Sequence, residues 1–133
     1  MEKQNEKKKV VLYYRVGTKK NEDIGLDSQR DTLRGYAAEK GYTIVGEIGE
    51  VAKGSTLRRA GIRRVYQLGR KGKMDKVLVC SSSRIARPLC LLIAFCDRLS
   101  RYGIEAESPG EGSLDKVCKK WKKIREKFPF FGE

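Results

Sequence analysis

The chain has 133 residues, no histidine, and 30 Lys+Arg against 17 Asp+Glu, which gives a formal net charge of +13 at pH 7. This length predicts a single domain over residues 1–133, which can bury about two-thirds of its unfolded surface without a metal or a disulfide. The absence of histidine excludes histidine general bases and the usual zinc sites. The charge favours a polyanionic partner, with nucleic acid ahead of an acidic membrane, although a basic surface without such a partner has the same composition.

The first half of the chain predicts two strands and a helix between them. A charged arm, residues 1–8, precedes an apolar strand at about 10–16. The polar residues 19–23 predict a loop, and Asp27-Ser28 supply N-cap chemistry for a helix that ends near Gly41. A second strand is predicted from Tyr42 to Ile48.

The second half continues the alternation. A small, flexible loop at 50–56 leads to a helix at about 59–71, and a third strand covers 76–80. Pro88 suits the first turn of the next helix, and a short strand follows at 104–106. The alternation predicts βαβ units. The expected fold class is α/β, a three-layer domain with a central, mostly parallel sheet of four or five strands flanked by helices.

A basic helix, Ser113 to Lys127, is predicted within the C-terminal segment 113–133. Its apolar stripe, which includes Leu114 and Trp121, either packs on the body of the domain or docks on a partner subunit or DNA.

The cysteines and the termini predict the compartment. Cys80 lies in an apolar strand and Cys90 and Cys96 in an apolar helix, so buried free thiols and a reducing cytoplasm are expected. The polar N-terminus is unlike a signal peptide, and no apolar run approaches the roughly 20 residues of a membrane span. We therefore expect a cytoplasmic protein with no membrane partner.

Arginines follow two of the predicted strands at the point where each strand ends. Arg15 follows the first strand, and Arg84 and Arg87 follow the third. Parallel strands bring their carboxyl ends to one edge of a sheet, so these guanidiniums are expected to form a phosphate site there. Each arginine taken alone has the alternative of a solvated surface residue. Gly17 lies where such chemistry requires a hydroxyl.

The motifs around these arginines resemble those of serine recombinases, the resolvase/invertase group. Residues 14–18 resemble the opening Y-x-R-V-S-T, and residues 27–29 resemble the start of the following helix. Residues 50–54 with 58–62 are similar to D-x-A-S-G…R-P-G-L, and residues 83–87 are similar to S-R-x-x-R. The resemblance covers about residues 9–127.

The resemblance implies a resolvase-like fold and site-specific recombination of double-stranded DNA. A serine attacks a phosphodiester, a phosphoserine bond to the DNA 5′ end forms, and a 3′ hydroxyl leaves. Exchange takes place in a tetramer built from dimers, and no metal or nucleotide cofactor is implied. The family usually continues into a separate DNA-binding module. We expect either an excised catalytic domain or a shortened gene product here, and therefore contacts to the DNA backbone only.

Site roles carry over by position. Gly17 takes the nucleophile position, and the phosphate-binding arginines would be Arg15, Arg84 and Arg87, with Arg59 reaching in from the loop side or belonging to a basic helix face. The remaining residues that the resemblance assigns to DNA binding are Gln29, Lys53, Ser55 and Ser83.

The match departs from the family at the site itself. Gly17 replaces the nucleophilic serine, Lys53 replaces the serine of the S-G pair, and Ala60 replaces a proline. Thr18 or Ser55 could substitute as nucleophile only by lying in line with the phosphorus, within about 3–3.5 Å. Cleavage is therefore expected to be impaired.

Two other functions stay open. One is a non-catalytic DNA-binding or regulatory relative that uses the same fold. The other is a small α/β enzyme acting on a phosphorylated metabolite, although the chain has no glycine-rich phosphate loop.

Overall fold

The computed structural model describes residues 7–17 and 22–127 of the chain. The strands are β1 (Lys9–Val16), β2 (Thr43–Val51), β3 (Lys76–Leu78), β4 (Glu105–Ser108) and β5 (Gly112–Ser113). The helices are α1 (Glu22–Lys40), α2 (Ala60–Arg70), α3 (Leu89–Arg101) and α4 (Leu114–Lys127). The arm at 1–6, Thr18, residues 19–21 of the loop predicted at 19–23, and residues 128–133 lie outside the described residues. The loop prediction is wrong for Glu22 and Asp23, which belong to α1. Within the described ranges, no helix combines the length and the apolar character needed to cross a membrane.

The five strands form one sheet in the order β2-β1-β3-β4-β5. The pairs β1–β2, β1–β3 and β3–β4 are parallel, and only β5 runs antiparallel to its neighbour. The predicted α/β class, with a mostly parallel sheet between layers of helices, is confirmed.

Alternate residues of β1 face opposite sides of the sheet and build two cores. Val10 and Leu12 pack with Leu33 and Ala37 of α1. Val11 and Tyr13 face the other side, where the larger core contains Ile62, Val65, Leu92, Phe95, Leu99 and Leu114. The sheet is therefore covered on both faces, as the apolar content of β1 requires.

The helix boundaries were predicted unevenly. Gly41, Gly72 and Gly103 follow α1, α2 and α3 with φ of 75°, 68° and 76°, the left-handed conformation that glycine favours after a helix. The predicted helix end near Gly41 is confirmed. The predicted N-cap at Asp27-Ser28 is wrong, because α1 already begins at Glu22. Both residues are exposed inside the helix, where their short polar side chains stay solvated.

Two further predictions need correction. Strand β3 ends at Leu78 rather than at residue 80, although the Val79 N–H still donates to the Glu107 carbonyl at 3.0 Å. Cys90 is exposed, because the buried face of α3 is the one that carries Leu92 and Cys96.

Helix α4 starts at Leu114, since β5 takes up Gly112 and Ser113. Leu114 is fully buried in the larger core, and Val117 and Trp121 are partly buried against it. The apolar stripe therefore packs on the body of the domain.

Candidate functional site

The carboxyl edge of the sheet carries a shallow depression of about 250 Å³. Its lining residues come from the end of β1, the β2–α2 loop and the β3–α3 loop: Arg15, Gly17, Lys53, Gly54, Ser55 and Arg87. Arg84 lies directly behind it, where its Nη1 donates to the Arg15 carbonyl at 3.1 Å. The two stretches predicted to meet at this edge are therefore together.

Arg15 is 1% exposed, and its guanidinium donates hydrogen bonds to backbone carbonyls. Its Nε donates to the Arg84 carbonyl at 2.8 Å, and its two terminal nitrogens donate at 2.7 Å to the carbonyls of Ala52 and Ser83. Burial, and then the neighbouring Arg59 charge, lower the pKa of the Arg15 guanidinium. One side chain thus joins β1 to both loops of the site.

Arg59 also has a buried guanidinium. Its Nη1 donates to the Thr56 carbonyl at 2.6 Å, and its Nη2 donates to the Ile85 carbonyl at 2.6 Å and to the Tyr13 hydroxyl at 2.8 Å. Its Nε lies 3.3 Å from a carboxylate oxygen of Glu50. The alternative that Arg59 belongs to an exposed helix face is wrong, since only 2% of its side chain is exposed.

Glu50 and Tyr13 complete this buried hydrogen-bond network, and neither residue was assigned a role from the sequence. The Glu50 carboxylate accepts hydrogen bonds from the Tyr13 hydroxyl and from the Gly61 N–H. Burial and the hydrogen bond to Glu50 raise the pKa of Tyr13. The available signal was the position of Glu50 at the end of β2, where the family motif has another carboxylate.

Gln29 holds the end of β1 from the side of α1. Its amide oxygen accepts from the Arg15 N–H at 3.2 Å, and its amide nitrogen donates to the Arg15 carbonyl at 2.9 Å. The side chain is buried behind the strand. Gln29 therefore positions Arg15 and does not line the depression.

Gly54 brings the β2–α2 loop against the arginines. A Cβ atom at this position would lie 2.7 Å from Nη2 of Arg15 and 3.3 Å from Cγ of Arg87. The Gly54 carbonyl accepts from the Arg87 N–H at 3.0 Å. Only glycine allows this close approach.

Gly17, unlike Gly54, has open space where a side chain would begin. It is exposed, its φ is not positive, and a Cβ added there would have nothing within 4 Å. The position can take a side chain without strain.

The exposed side chains of the depression are Lys53, Ser55 and Arg87. Neither Lys53 nor Arg87 forms an ion pair with another of the described residues. Ser83 is exposed beside the depression, and its hydroxyl lies 2.8 Å from that of Ser81. Two unpaired cations at a concave edge, above a framework of buried arginines, can hold an anion such as a phosphate.

Comparison with known proteins identifies the family of this α/β domain, whose arginine framework lies at the carboxyl edge of the sheet. Residues 10–116 match the family model "Resolvase, N terminal domain". The chain belongs to the resolvase family and has the fold of a serine recombinase catalytic domain, as the motifs predicted.

Solved structures agree on this fold. The N-terminal catalytic domain of TP901-1 integrase superposes with a TM-score of 0.78 at 21% identity, over 92% of this chain and 100% of that one. A resolvase family site-specific recombinase from Streptococcus pneumoniae gives 0.74 at 26% identity, over 91% and 89% of the two chains. The C-terminal catalytic domain of ISC1926 TnpA, an IS607-like serine recombinase, gives 0.71 at 22% identity, over 90% and 82%.

Proposed function

We propose that this chain is a serine recombinase catalytic domain that holds a phosphate of double-stranded DNA at the depression and does not itself cut the strand. One observation carries the proposal. The exposed cations Lys53 and Arg87 flank Gly17, which has no hydroxyl at the position where the family has its nucleophile.

The charge distribution supports a phosphate ligand. Guanidinium groups match phosphate geometry and stay charged at every physiological pH. The buried Arg15 bonds the backbone of the two loops that carry Lys53 and Arg87, so the loops are held in place before a ligand arrives. Since binding of this kind neutralises phosphates without reading bases, affinity should fall steeply with salt.

The missing hydroxyl accounts for the proposed loss of cleavage. In the family reaction the serine oxygen bonds to phosphorus, the bond from phosphorus to the 3′ oxygen breaks, and that oxygen leaves as a hydroxyl. Gly17 has no atom that could form the first bond. Ser55 lines the same depression on the β2–α2 loop, and a Ser55→Ala variant tests whether it substitutes.

The first experiment restores the hydroxyl. Gly17→Ser is incubated with a labelled duplex, and covalent adducts are resolved on a denaturing gel. We expect no adduct from the wild type or from Gly17→Ala and a detectable adduct from Gly17→Ser, because nothing lies within 4 Å of an added Cβ. If Gly17→Ser alone gives no adduct, the Gly17→Ser/Lys53→Ser double variant restores the family's serine at both positions. A wild-type adduct would refute the proposed loss of cleavage.

The second experiment measures binding without chemistry. Lys53→Gln and Arg87→Gln should each weaken duplex binding and reduce the slope of log K against log salt by about 1. Lys73→Gln is the matched control, because Lys73 is exposed and precedes β3 at the opposite edge of the sheet. Equal affinity of all variants would show that the depression does not hold DNA.

A regulatory relative is the second candidate. The observation that favours it is the survival of the Arg15 and Arg59 hydrogen-bond network beside a position that lacks a nucleophile. Such a chain would bind DNA or enter dimers and tetramers with an active recombinase. Titration of this chain into an active relative should then inhibit strand exchange, and a Lys53→Gln/Arg87→Gln double variant distinguishes competition for DNA from mixed assembly.

A further inference from the structure

A second cationic surface lies outside the site described above. It is a cleft of about 470 Å³ between α2 and α3. Four exposed arginines line it over an apolar floor that includes Leu57: they are Arg58, Arg63, Arg70 and Arg98. Among the described residues none of the four pairs with a carboxylate, and the one acid of α3, Asp97, is bound by Lys122.

One of these arginines is held in place before any ligand binds. The guanidinium of Arg98 lies 4.0 Å from the centroid of the Tyr66 ring, and its Nε donates to the Tyr102 hydroxyl at 2.9 Å. The hydrogen bond from Arg98 lowers the pKa of that hydroxyl, and Arg70 contributes as well. A guanidinium fixed by stacking and one hydrogen bond keeps its remaining N–H donors for an anion and loses little entropy when it binds one.

The spacing of the arginines suits a series of phosphates. Arg63 and Arg70 lie seven residues apart on α2, which is about 10.5 Å along the axis. That distance equals the rise of about three nucleotide steps along the axis of a DNA duplex. Because Arg98 covers the face of Tyr66, the cleft offers cations to phosphates and no free aromatic face to a base.

The cleft and the depression are joined by one loop. Lys53 lines the depression and Arg58 lines the cleft, so their Cα atoms are at most about 18 Å apart. This is about half a helical turn of B-DNA. A duplex seated on the depression therefore extends far enough, within one helical turn, to reach the cleft.

We propose that the α2–α3 cleft is a second backbone contact, which binds phosphates of the DNA that flanks the depression. This inference rests on the proposed DNA binding at the depression. An acidic peptide is the competing occupant, and DNA is favoured because it alone would use both neighbouring cationic surfaces at once.

The test compares a variant that lacks two charges of the cleft with a variant that lacks two charges on the other side of α2. Arg63→Gln/Arg70→Gln changes the cleft, and Arg64→Gln/Lys71→Gln is the control, because Arg64 and Lys71 line a different groove. Binding is measured by fluorescence anisotropy over a salt series, with a 12-base-pair and a 30-base-pair duplex. Circular dichroism confirms that each variant is folded.

We expect the cleft variant to bind the longer duplex at least tenfold more weakly than the control and to lower the salt slope by about 1.8, the value for two lost phosphate contacts. The shorter duplex should show a smaller difference, because fewer of its binding positions place DNA on both surfaces at once. Equal binding by the cleft and control variants would overturn this inference while the depression still binds. Labelled polyglutamate, measured in the same way, represents the acidic peptide, and loss of its binding by the cleft variant without loss of DNA binding would also overturn the inference. Failure of the wild type to bind either duplex would overturn both proposals.

Discussion

Two groups of arginines in this domain differ in burial and in the partners of their guanidiniums. Arg15 and Arg59 are 1% and 4% exposed, and they donate to backbone carbonyls of the loops at the carboxyl edge. Arg63, Arg70 and Arg87 are exposed and form no ion pair among the described residues. The buried arginines stabilise the loops of the fold, and the exposed arginines are available to a ligand.

The difference has an energetic basis. A guanidinium withdrawn from water is stable only when its donors are satisfied, and the carbonyls that it satisfies would otherwise be unpaired. An exposed guanidinium carries no such constraint, so its removal costs the fold little. Sequence motifs alone assign Arg15, Arg59 and Arg87 to the phosphate, whereas burial separates the framework from the contact surface.

The largest effect should come from removing a buried arginine. Arg59→Met leaves the carbonyls of Thr56 and Ile85 without this donor and removes the cation that pairs with the partly buried Glu50 carboxylate. We expect the free energy of unfolding to fall by about 3–5 kcal/mol, as measured by urea denaturation. Arg63→Met, the exposed counterpart, should change it by about 0.5 kcal/mol or less. Similar losses for both variants would remove the distinction between the two groups.

A smaller effect is expected where the loop touches the buried framework. Gly54→Ala places a Cβ 2.7 Å from Nη2 of Arg15. The resulting overpacking should lower the free energy of unfolding by about 1–3 kcal/mol. Gly17→Ala is the matched control, because nothing lies within 4 Å of its added Cβ. An unchanged stability for Gly54→Ala would mean that the loop can move away from Arg15.

Glu107 is a buried acid, and we expect its contribution to the free energy of unfolding to give the smallest effect. Burial raises the pKa of Glu107, but hydrogen bonds from Lys76, Tyr36 and Tyr42 outweigh it and bring that pKa below its usual value of 4.5. The stability that the carboxylate contributes is therefore complete above about pH 4.5 and is lost as the pH falls through the folded-state pKa. Acid titration of the free energy of unfolding should show this loss, and Glu107→Gln should flatten it. An equal acid response in wild type and Glu107→Gln would assign the loss to other carboxylates.

The sequence was sufficient for the fold and for the location of the site. Strong alternation predicted the strand and helix order, and the arginines after β1 and β3 meet as expected. The start of α1 was missed because Asp27 and Ser28 are good caps that are also tolerated on an exposed helix face. The backbone carbonyls that Arg15 and Arg59 bond could not be predicted, and those of Arg15 lie 37–69 positions away along the chain. Such partners leave no trace in side-chain identity.

The groups that line the depression also fix how the site responds to acidity. Lysine and arginine side chains, a serine and two glycines surround it. The chain has no histidine, the side chain whose ordinary charge change falls between about pH 5 and pH 8, so no imidazole switches the positive potential at this edge of the sheet. If the depression binds DNA as proposed, ionic strength rather than a mild change of pH should control the affinity.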